Sequence, residues 1–186
     1  MTNWYPTDPE MYEDVQTRWQ YFNVATRKSP EKRLERLWHG SRDSARTPVQ
    51  WSAEANAGFT TGTPWFYVNE NYTEINVADQ EGDPDSVLNF YRKAIELRKT
   101  LSAVRHGNYT EHFKSSSKVY TYTREDKRQK LLVVCSFTDK PVRFNAPQGF
   151  DLSAGEAVLC NYPDNPIHEN GFVCRPYETR VYYYNK

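Results

Sequence analysis

The distribution of hydrophobic and polar residues along the chain changes near residue 105. Before this point, polar stretches alternate with segments whose apolar residues recur every three or four positions, as in amphipathic helices. After it, short apolar runs are separated by turn residues, as in a protein built from strands. The pattern therefore predicts two parts, residues 1–105 and residues 106–186.

Two helices are predicted in the first forty or so residues. A modest helix over residues 10–26 would carry four apolar side chains, Met11, Val15, Trp19 and Phe22. Ser29 followed by Pro30 then predicts the start of a second helix over residues 31–38, because proline is well tolerated in the first helical turn. Between Gly40 and Gly82 no period persists, which indicates a long ordered loop.

The most regular helical pattern follows residue 82. Asp83 and Pro84 are interpreted as an N-cap and a first helical residue. The apolar face that follows is broad enough to be buried on more than one side, and it consists of Val87, Leu88, Phe90, Tyr91, Ala94, Ile95, Leu97 and Leu101.

Five strand-like runs are predicted downstream, over residues 119–123, 131–135, 141–144, 157–159 and 179–184. Turn residues separate them at 126–127, 138–139, 147–149 and 170–171. Many short strands joined by turns predict an antiparallel all-β sandwich.

Composition narrows the classes of function. The 186 residues are 38% hydrophobic, enough to bury a core, and 24 basic residues balance 24 acidic ones. Such a chain has no excess positive charge with which to bind nucleic acid or an anionic membrane surface. The expected partners are neutral molecules or proteins.

The expected location is the cytoplasm. The first nine residues lack the basic and apolar regions of a signal peptide, and no apolar stretch approaches the length of a membrane span. Cys135, Cys160 and Cys174 lack C-x-x-C spacing and lie in apolar runs, which indicates reduced thiols without zinc. The histidines have no ligand spacing either, so no metal is predicted at His39, His106, His112 or His168.

The richest candidate chemistry lies in residues 42–51, which read R-D-S-A-R-T-P-V-Q-W. Two guanidinium groups, a carboxylate, an amide and an indole are the groups that bind sugar hydroxyls or a buried carboxylate. The other interpretation is that the charges pair with one another and hold the long loop in place. The residue types alone favour the second interpretation.

This segment resembles the R-D-N-A-R-T-P-M-Q-W motif of α-glucosidases in glycoside hydrolase family 13. The resemblance is to oligo-1,6-glucosidases, dextran glucosidases and trehalose-6-phosphate hydrolases, with Ser44 and Val49 as departures. Three further blocks match in order, at residues 56–65, 69–77 and 90–99. The resemblance continues into the tail and covers essentially the whole chain.

The resemblance implies a fold. Residues 1–105 would be the last βα loop and the last helix of a TIM (β/α)8 barrel, and residues 106–186 the C-terminal antiparallel β-sandwich. The loop after the last strand of such a barrel lies beside the active site. The chain would therefore be the C-terminal part of an intracellular retaining α-glucosidase acting on short α-linked, chiefly α-1,6-linked, oligosaccharides.

The resemblance also implies site residues. Arg46 would bind the terminal glucose, and Arg42, Asp43, Gln50 and Trp51 would shape the loop. The family's catalytic carboxylates match no position here, so no catalytic residue, metal or cofactor is assigned, and the chain alone is expected to be inactive. Its apolar helix face is expected to promote self-association. The alternative is a non-catalytic carbohydrate-binding or structural β-sandwich module.

Overall fold

The computed structural model describes residues 3–24, 26–164 and 170–186. His168 lies outside the described residues. Two compact units are present, one ending at Gly82 and the other beginning at Asp83. The compact units thus divide earlier than the predicted boundary at residue 105, because the long helix of the second unit packs on its own sheet. The predicted end of the barrel at residue 105 in a complete enzyme stays a prediction.

The first unit is built from short helices joined by ordered loops. Its α-helices are α1 (Val15–Trp19), α2 (Pro30–Gly40) and α3 (Val77–Gly82), and a π-helix, Gln20–Val24, continues α1. Its 3-10 helices are Pro9–Met11, Arg42–Ala45, Ala55–Gly58 and Glu70–Thr73.

The predicted helix over residues 10–26 is confirmed only over residues 15–24, where α1 continues into the π-helix. A separate 3-10 turn precedes it, because the Asp14 side chain accepts a hydrogen bond from the backbone N–H of Thr17 and starts a new helix. The four apolar residues expected on its face are exposed, whereas Tyr12, Thr17 and Tyr21 are buried. The second helix is confirmed, with Ser29 as its N-cap.

An aromatic core holds the first unit together. The Trp4 ring lies 5.4 Å from Tyr12 and 5.1 Å from Phe66 in edge-to-face contacts, and it stacks on Tyr67 at 5.3 Å. Leu37 of α2 joins the same cluster. Aromatic contacts of this kind allow a loop-rich segment to bury apolar surface without a regular sheet.

The second unit begins with α4 (Val87–Thr100) and α5 (Ser102–His106). Seven strands follow: β1 (Asn108–His112), β2 (Val119–Glu125), β3 (Gln129–Ser136), β4 (Val142–Asn145), β5 (Glu156–Cys160), β6 (Gly171–Cys174) and β7 (Thr179–Asn185). They form a five-stranded antiparallel sheet in the order β1-β2-β3-β7-β5 and a separate antiparallel pair, β4 with β6. The predicted antiparallel β-domain is confirmed.

Strand β3 is covered on both faces. Leu131 and Val133 belong to a cluster that includes residues of α4 and α5, whereas Leu132 and Val134 pack with Phe144 and its neighbours from the β4–β6 pair. Successive side chains of a strand point to opposite faces, so helices cover one face and the small sheet covers the other. This explains why β3 reads as a continuous apolar run instead of an alternating one.

Two strands, β1 and β6, were not predicted. Strand β1 is an edge strand with few apolar residues, so it carries no alternating pattern. Strand β6 begins at Gly171, which the sequence indicates as a turn residue. A Cβ at this position would lie 2.3 Å from the backbone oxygen of Phe144, so glycine is required here by the close approach of β4.

Helix α4 begins later than predicted. Ser86, not Asp83, is its N-cap and accepts a hydrogen bond from the backbone N–H of Asn89, while the Asp83 side chain accepts from the N–H of Asp85 in the preceding turn. Phe90 and Leu97 of the predicted apolar face pack on the sheet. The face that remains exposed is defined by Val87, Tyr91 and Ile95.

Cys135, Cys160 and Cys174 are free thiols on three different strands of the second unit. Burial raises the pKa of Cys135 and raises that of Cys174 to about 12, so these two behave as small apolar groups. Among the described residues, no helix combines the length and apolar character that a membrane span requires.

Candidate functional site

The predicted motif folds around one buried carboxylate. Asp43 lies in the 3-10 helix Arg42–Ala45, whose N-cap is Ser41, and its side chain is fully buried. Its Oδ2 accepts hydrogen bonds from the backbone N–H groups of Glu13 and Asp14, both at 2.9 Å, and its Oδ1 accepts one from Arg46 Nη1 at 3.1 Å. Asp43 therefore ties the motif to a segment 29 to 30 residues earlier.

Asp14 is the second buried acid of the site. Its Oδ2 accepts hydrogen bonds from the backbone N–H and the hydroxyl of Thr17, at 3.0 and 2.6 Å. Its Oδ1 accepts two from Arg42, from Nε at 3.0 Å and from Nη2 at 2.6 Å. Burial alone would raise the pKa of Asp14, but the bonds from Thr17 and Arg42 outweigh it and lower this pKa.

Asp14, Arg42, Asp43 and Arg46 together are named the Arg–Asp cluster. Arg46 Nη1 also lies 3.7 Å from Asp14 Oδ1, so both acids share this arginine. The Arg46 side chain is nevertheless 41% exposed. The cluster thus holds one end of the Arg46 guanidinium against buried charge while part of the side chain stays accessible.

Tyr12 lies beside the cluster. Burial, followed by the negative charge of Asp43, raises the pKa of this phenol to about 12. Its hydroxyl is buried and makes no hydrogen bond within the part of the chain that the structure describes. A phenol of this kind stays neutral near pH 7 and is unsuited to act as a base.

Gln50 connects the end of the motif to the segment before α3. Its side-chain Nε2 donates to the carbonyl of Ile75 at 2.6 Å and to Asn71 Oδ1 at 3.1 Å, and the backbone carbonyl of Gln50 accepts from the N–H of Val77 at 2.9 Å. The neighbouring Trp51 contributes through its backbone, whose carbonyl accepts from the N–H of Ala78.

The two tryptophans of the loop do not anchor it by packing, because Trp51 is 52% exposed and Trp65 is 64% exposed. Within this chain, the anchors of the first unit are Trp4 and Phe66 instead.

A tight left-handed turn fixes the segment after Trp51. Asn56, Ala57 and Gly58 all have positive φ, at 54°, 59° and 64°. The carbonyl of Ala57 accepts hydrogen bonds from the backbone N–H groups of Trp51 and Ser52, at 2.8 and 3.1 Å. Positive φ is costly for alanine. The two hydrogen bonds to the Ala57 carbonyl offset this cost and hold the turn.

The chemistry that this arrangement supports is positioning, not proton transfer. Both buried acids accept several hydrogen bonds, and a general acid for glycoside hydrolysis needs a raised pKa, not the lowered one of Asp14. In the described ranges there is no group of three or more His, Cys, Asp or Glu residues that could hold a metal ion. A rigidly held and partly exposed guanidinium remains as the functional group.

Sequence reasoning identified Arg42, Asp43, Arg46 and Gln50, and the structure brings the first three together. It missed Asp14. The spacing of Asp14 and Thr17 is a recognisable N-cap signal, but the pairing of Asp14 with Arg42, 28 residues away, leaves no local trace in the sequence.

Residues 9–107, more than half of the chain, match the family model for the alpha-amylase catalytic domain. The chain therefore belongs to the alpha-amylase family, as its sequence motifs predict. A curated relative, the probable oligo-1,6-glucosidase 2 of Bacillus subtilis (strain 168), is 39% identical over 188 residues. That alignment covers 100% of this chain and 33% of the relative.

Solved structures give the same result. The trehalose-6-phosphate hydrolase of Bacillus licheniformis matches with a TM-score of 0.91 and 37% identity, covering 100% of this chain and 34% of that one. The isomaltulose synthase of Klebsiella sp. LX3 matches with a TM-score of 0.90 and 33% identity, covering 98% of this chain and 33% of that one. The chain thus spans about a third of the length of these relatives, and it corresponds to their C-terminal third.

Proposed function

We propose that this chain forms the C-terminal third of a retaining α-glucosidase of the cytoplasm. The complete enzyme would remove terminal glucose from short α-linked oligosaccharides, chiefly α-1,6-linked ones. The observation that carries the proposal is the alignment of the entire chain with an oligo-1,6-glucosidase at 39% identity. The reaction would use two carboxylates from the remainder of the enzyme and no cofactor.

Arg46 is the proposed substrate-binding residue. Its contacts with Asp43 and Asp14 fix the guanidinium, and its accessible part could donate hydrogen bonds to the hydroxyl groups of a terminal glucose. A group held in place before the substrate arrives loses little conformational freedom on binding. Arg46 would also close the far end of the glucose pocket, which would favour attack at the non-reducing ends of oligosaccharides.

The proposed role of Arg42, Asp43, Gln50 and Trp51 is to shape the loop that presents Arg46. Arg42 neutralises Asp14, Asp43 joins the loop to residues 13 and 14, and Gln50 joins it to residue 75. For Trp51 this role rests on its backbone hydrogen bonds, since its indole is largely exposed.

The alternative, a carbohydrate-binding β-sandwich, would need a solvent-facing aromatic platform. Tyr182 is fully buried, and Tyr184 packs against the same core. Tyr120 is partly exposed, but its hydroxyl is hydrogen-bonded to that of Tyr109 at 2.8 Å, and its ring is tilted by 46° from that of Tyr122. These rings do not offer a flat platform, so the glucosidase proposal is favoured.

The isolated chain is expected to show no glucosidase activity. The buried carboxylates of Asp14 and Asp43 already serve as hydrogen-bond acceptors for arginine and backbone groups, and Asp14 has a lowered pKa. Release of p-nitrophenol from p-nitrophenyl α-glucoside should equal the buffer rate at micromolar protein. A rate that follows the chain through two chromatography steps and falls in an Asp43→Asn variant would contradict the expectation.

Self-association of the isolated chain is also expected. Val87, Tyr91 and Ile95 form a stripe at helical spacing on α4, with 69, 64 and 50% of their surfaces exposed. We propose that barrel helices cover this stripe in the complete enzyme. Sedimentation velocity should show concentration-dependent association that a Tyr91→Lys, Ile95→Lys variant abolishes. A monomer at all accessible concentrations would contradict this, as would association unchanged by the double substitution.

A further inference from the structure

The first unit also contains a pocket that none of the residues of the Arg–Asp cluster lines. It has a volume of about 310 Å³ and lies between the α1 and π-helix segment and α2. This volume is at the lower end of the range for small-molecule sites, about 300–1,000 Å³. Its lining residues are Trp19, Gln20, Tyr21, Val24, Thr26, Arg27, Lys28, Arg33, Arg36 and Leu37.

The lining is strongly basic. Four of the side chains are cationic, and none of the described lining residues is acidic. Arg33, Arg36 and Leu37 have the i, i+3, i+4 spacing that places them on one face of α2, and all three line the pocket. In the part of the chain that the structure describes, Arg27, Lys28 and Arg36 make no ion pair.

Arg33 is fixed at the inner side of this group. Its Nη1 donates to the carbonyl of Tyr21 at 3.1 Å, and its guanidinium lies 4.7 Å from the centre of the Tyr21 ring. Its Nε is buried and has no hydrogen-bond partner among the described residues. The hydrogen bond and the ring contact thus hold Arg33 in place in the pocket lining.

The two acids of α2, Glu31 and Glu35, are exposed and do not line the pocket. Glu31 is exposed at the start of α2, where hydrogen bonds from its own backbone N–H and from Ser29, followed by the charge of Arg33, lower its pKa. It is not one of the lining residues. The concentration of positive charge is therefore local, although the whole chain has a formal net charge of zero.

We infer that this pocket is a binding site for the phosphate group of a small phosphate monoester. A dianionic phosphate presents several strong acceptor oxygens, and arginine donors match them in a forked geometry. Trp19, whose ring is exposed at the pocket, offers an apolar face to the organic part of the ligand, which suits a sugar ring. The site shares no residue with the Arg–Asp cluster, so it does not depend on the proposed function.

The test is isothermal titration calorimetry on the 186-residue chain at constant ionic strength. The probes are glucose 6-phosphate, inorganic phosphate and glucose. We expect saturable binding of glucose 6-phosphate, weaker binding of inorganic phosphate and none of glucose. Binding should weaken as salt rises, because charge interactions are screened, and also as pH falls below about 6, where the phosphate gains a proton.

Variants locate the site. Arg36→Gln and Arg33→Gln should each weaken the binding of glucose 6-phosphate about tenfold or more, since each removes a charge-assisted contact. Lys32→Gln is the matched control, because Lys32 is an exposed cation on the same helix and is not a lining residue. Arg36 is exposed, so its variant should fold even if Arg33→Gln does not.

The inference is overturned if neither phosphate probe binds saturably at 10 mM, or if Arg36→Gln and Lys32→Gln have equal affinities for glucose 6-phosphate. Equal affinity for inorganic phosphate and glucose 6-phosphate would overturn the proposed contact with the organic part of the ligand. Binding that is lost in Arg36→Gln and kept in Lys32→Gln would support the site.

Discussion

Replacing Arg46 by alanine in a complete enzyme is expected to lower kcat/KM about a hundredfold or more while the fold stays largely intact. The Arg46 side chain is partly exposed and donates one hydrogen bond to Asp43, which keeps two backbone donors without it. The substitution removes a charged contact to bound glucose and also removes a partner from a buried acid. Together these losses cost a few kcal/mol, which corresponds to a fall in kcat/KM of about a hundredfold or more.

Two further variants separate substrate binding from loop support. Arg42→Ala should cost less activity than Arg46→Ala, because Arg42 is engaged with Asp14 and is not expected to touch the sugar. Arg46→Lys should restore little, since an ammonium cannot reproduce a forked contact. Steady-state kinetics with thermal melts would decide. A well-folded Arg46→Ala enzyme with near-normal turnover would show that the arginine only holds the loop.

Substituting Glu178 by glutamine is expected to destabilise the second unit by about 3–5 kcal/mol, because it removes one partner from a buried ion-pair network. Glu178 and Arg180 are almost completely buried. Glu178 Oε1 accepts from Arg180 Nε and from Arg175 Nη2, both at 2.8 Å, and Oε2 accepts from the backbone N–H of Arg175 at 2.7 Å. Arg180 also lies 3.8 Å from the centre of the Phe172 ring.

The change should lower the melting temperature by at least about 10 °C. Asp164→Asn is the matched control, because Asp164 pairs with Arg175 at the surface, with 74% of its side chain exposed. Its effect should be within about 2 °C. Circular dichroism melts would measure both, and similar small shifts in the two variants would contradict the assigned role of Glu178.

The pH dependence of the same pair follows from the pKa of Glu178. Burial alone would raise this pKa, but hydrogen bonds from Arg175 and Arg180 outweigh it and lower the pKa below its unfolded value. A carboxyl with a lowered folded pKa contributes stability that is full above its unfolded pKa, about 4.3, and is lost as pH falls through the folded pKa. The difference in stability between the parent and Glu178→Gln should therefore shrink below about pH 4.

The sequence predicts those elements whose signals are local. Helix α2 begins at the Ser29–Pro30 signal, and β3 and β7 are apolar runs of strand length. Elements that depend on distant partners were not predicted. Strand β6 exists because β4 approaches Gly171, and the edge strand β1 has no buried face to give an alternating pattern.

The same distinction applies to the site. Arg42, Asp43 and Arg46 are close in sequence, so their types alone indicate a charged cluster. Asp14 could not be assigned to it, because its contact with Arg42 depends on how two segments 28 residues apart fold together. The proposed contact of Arg46 with glucose rests on family resemblance, since the residue types alone favour ion pairs that hold the loop.

The most direct test of the glucosidase proposal is the activity of a hybrid enzyme. This chain would replace the matching C-terminal third of the Bacillus subtilis relative, which is 39% identical to it. We expect the hybrid to release glucose from isomaltose and p-nitrophenol from p-nitrophenyl α-glucoside, whereas the chain alone releases neither. A hybrid that melts cooperatively but hydrolyses neither substrate would overturn the glucosidase proposal.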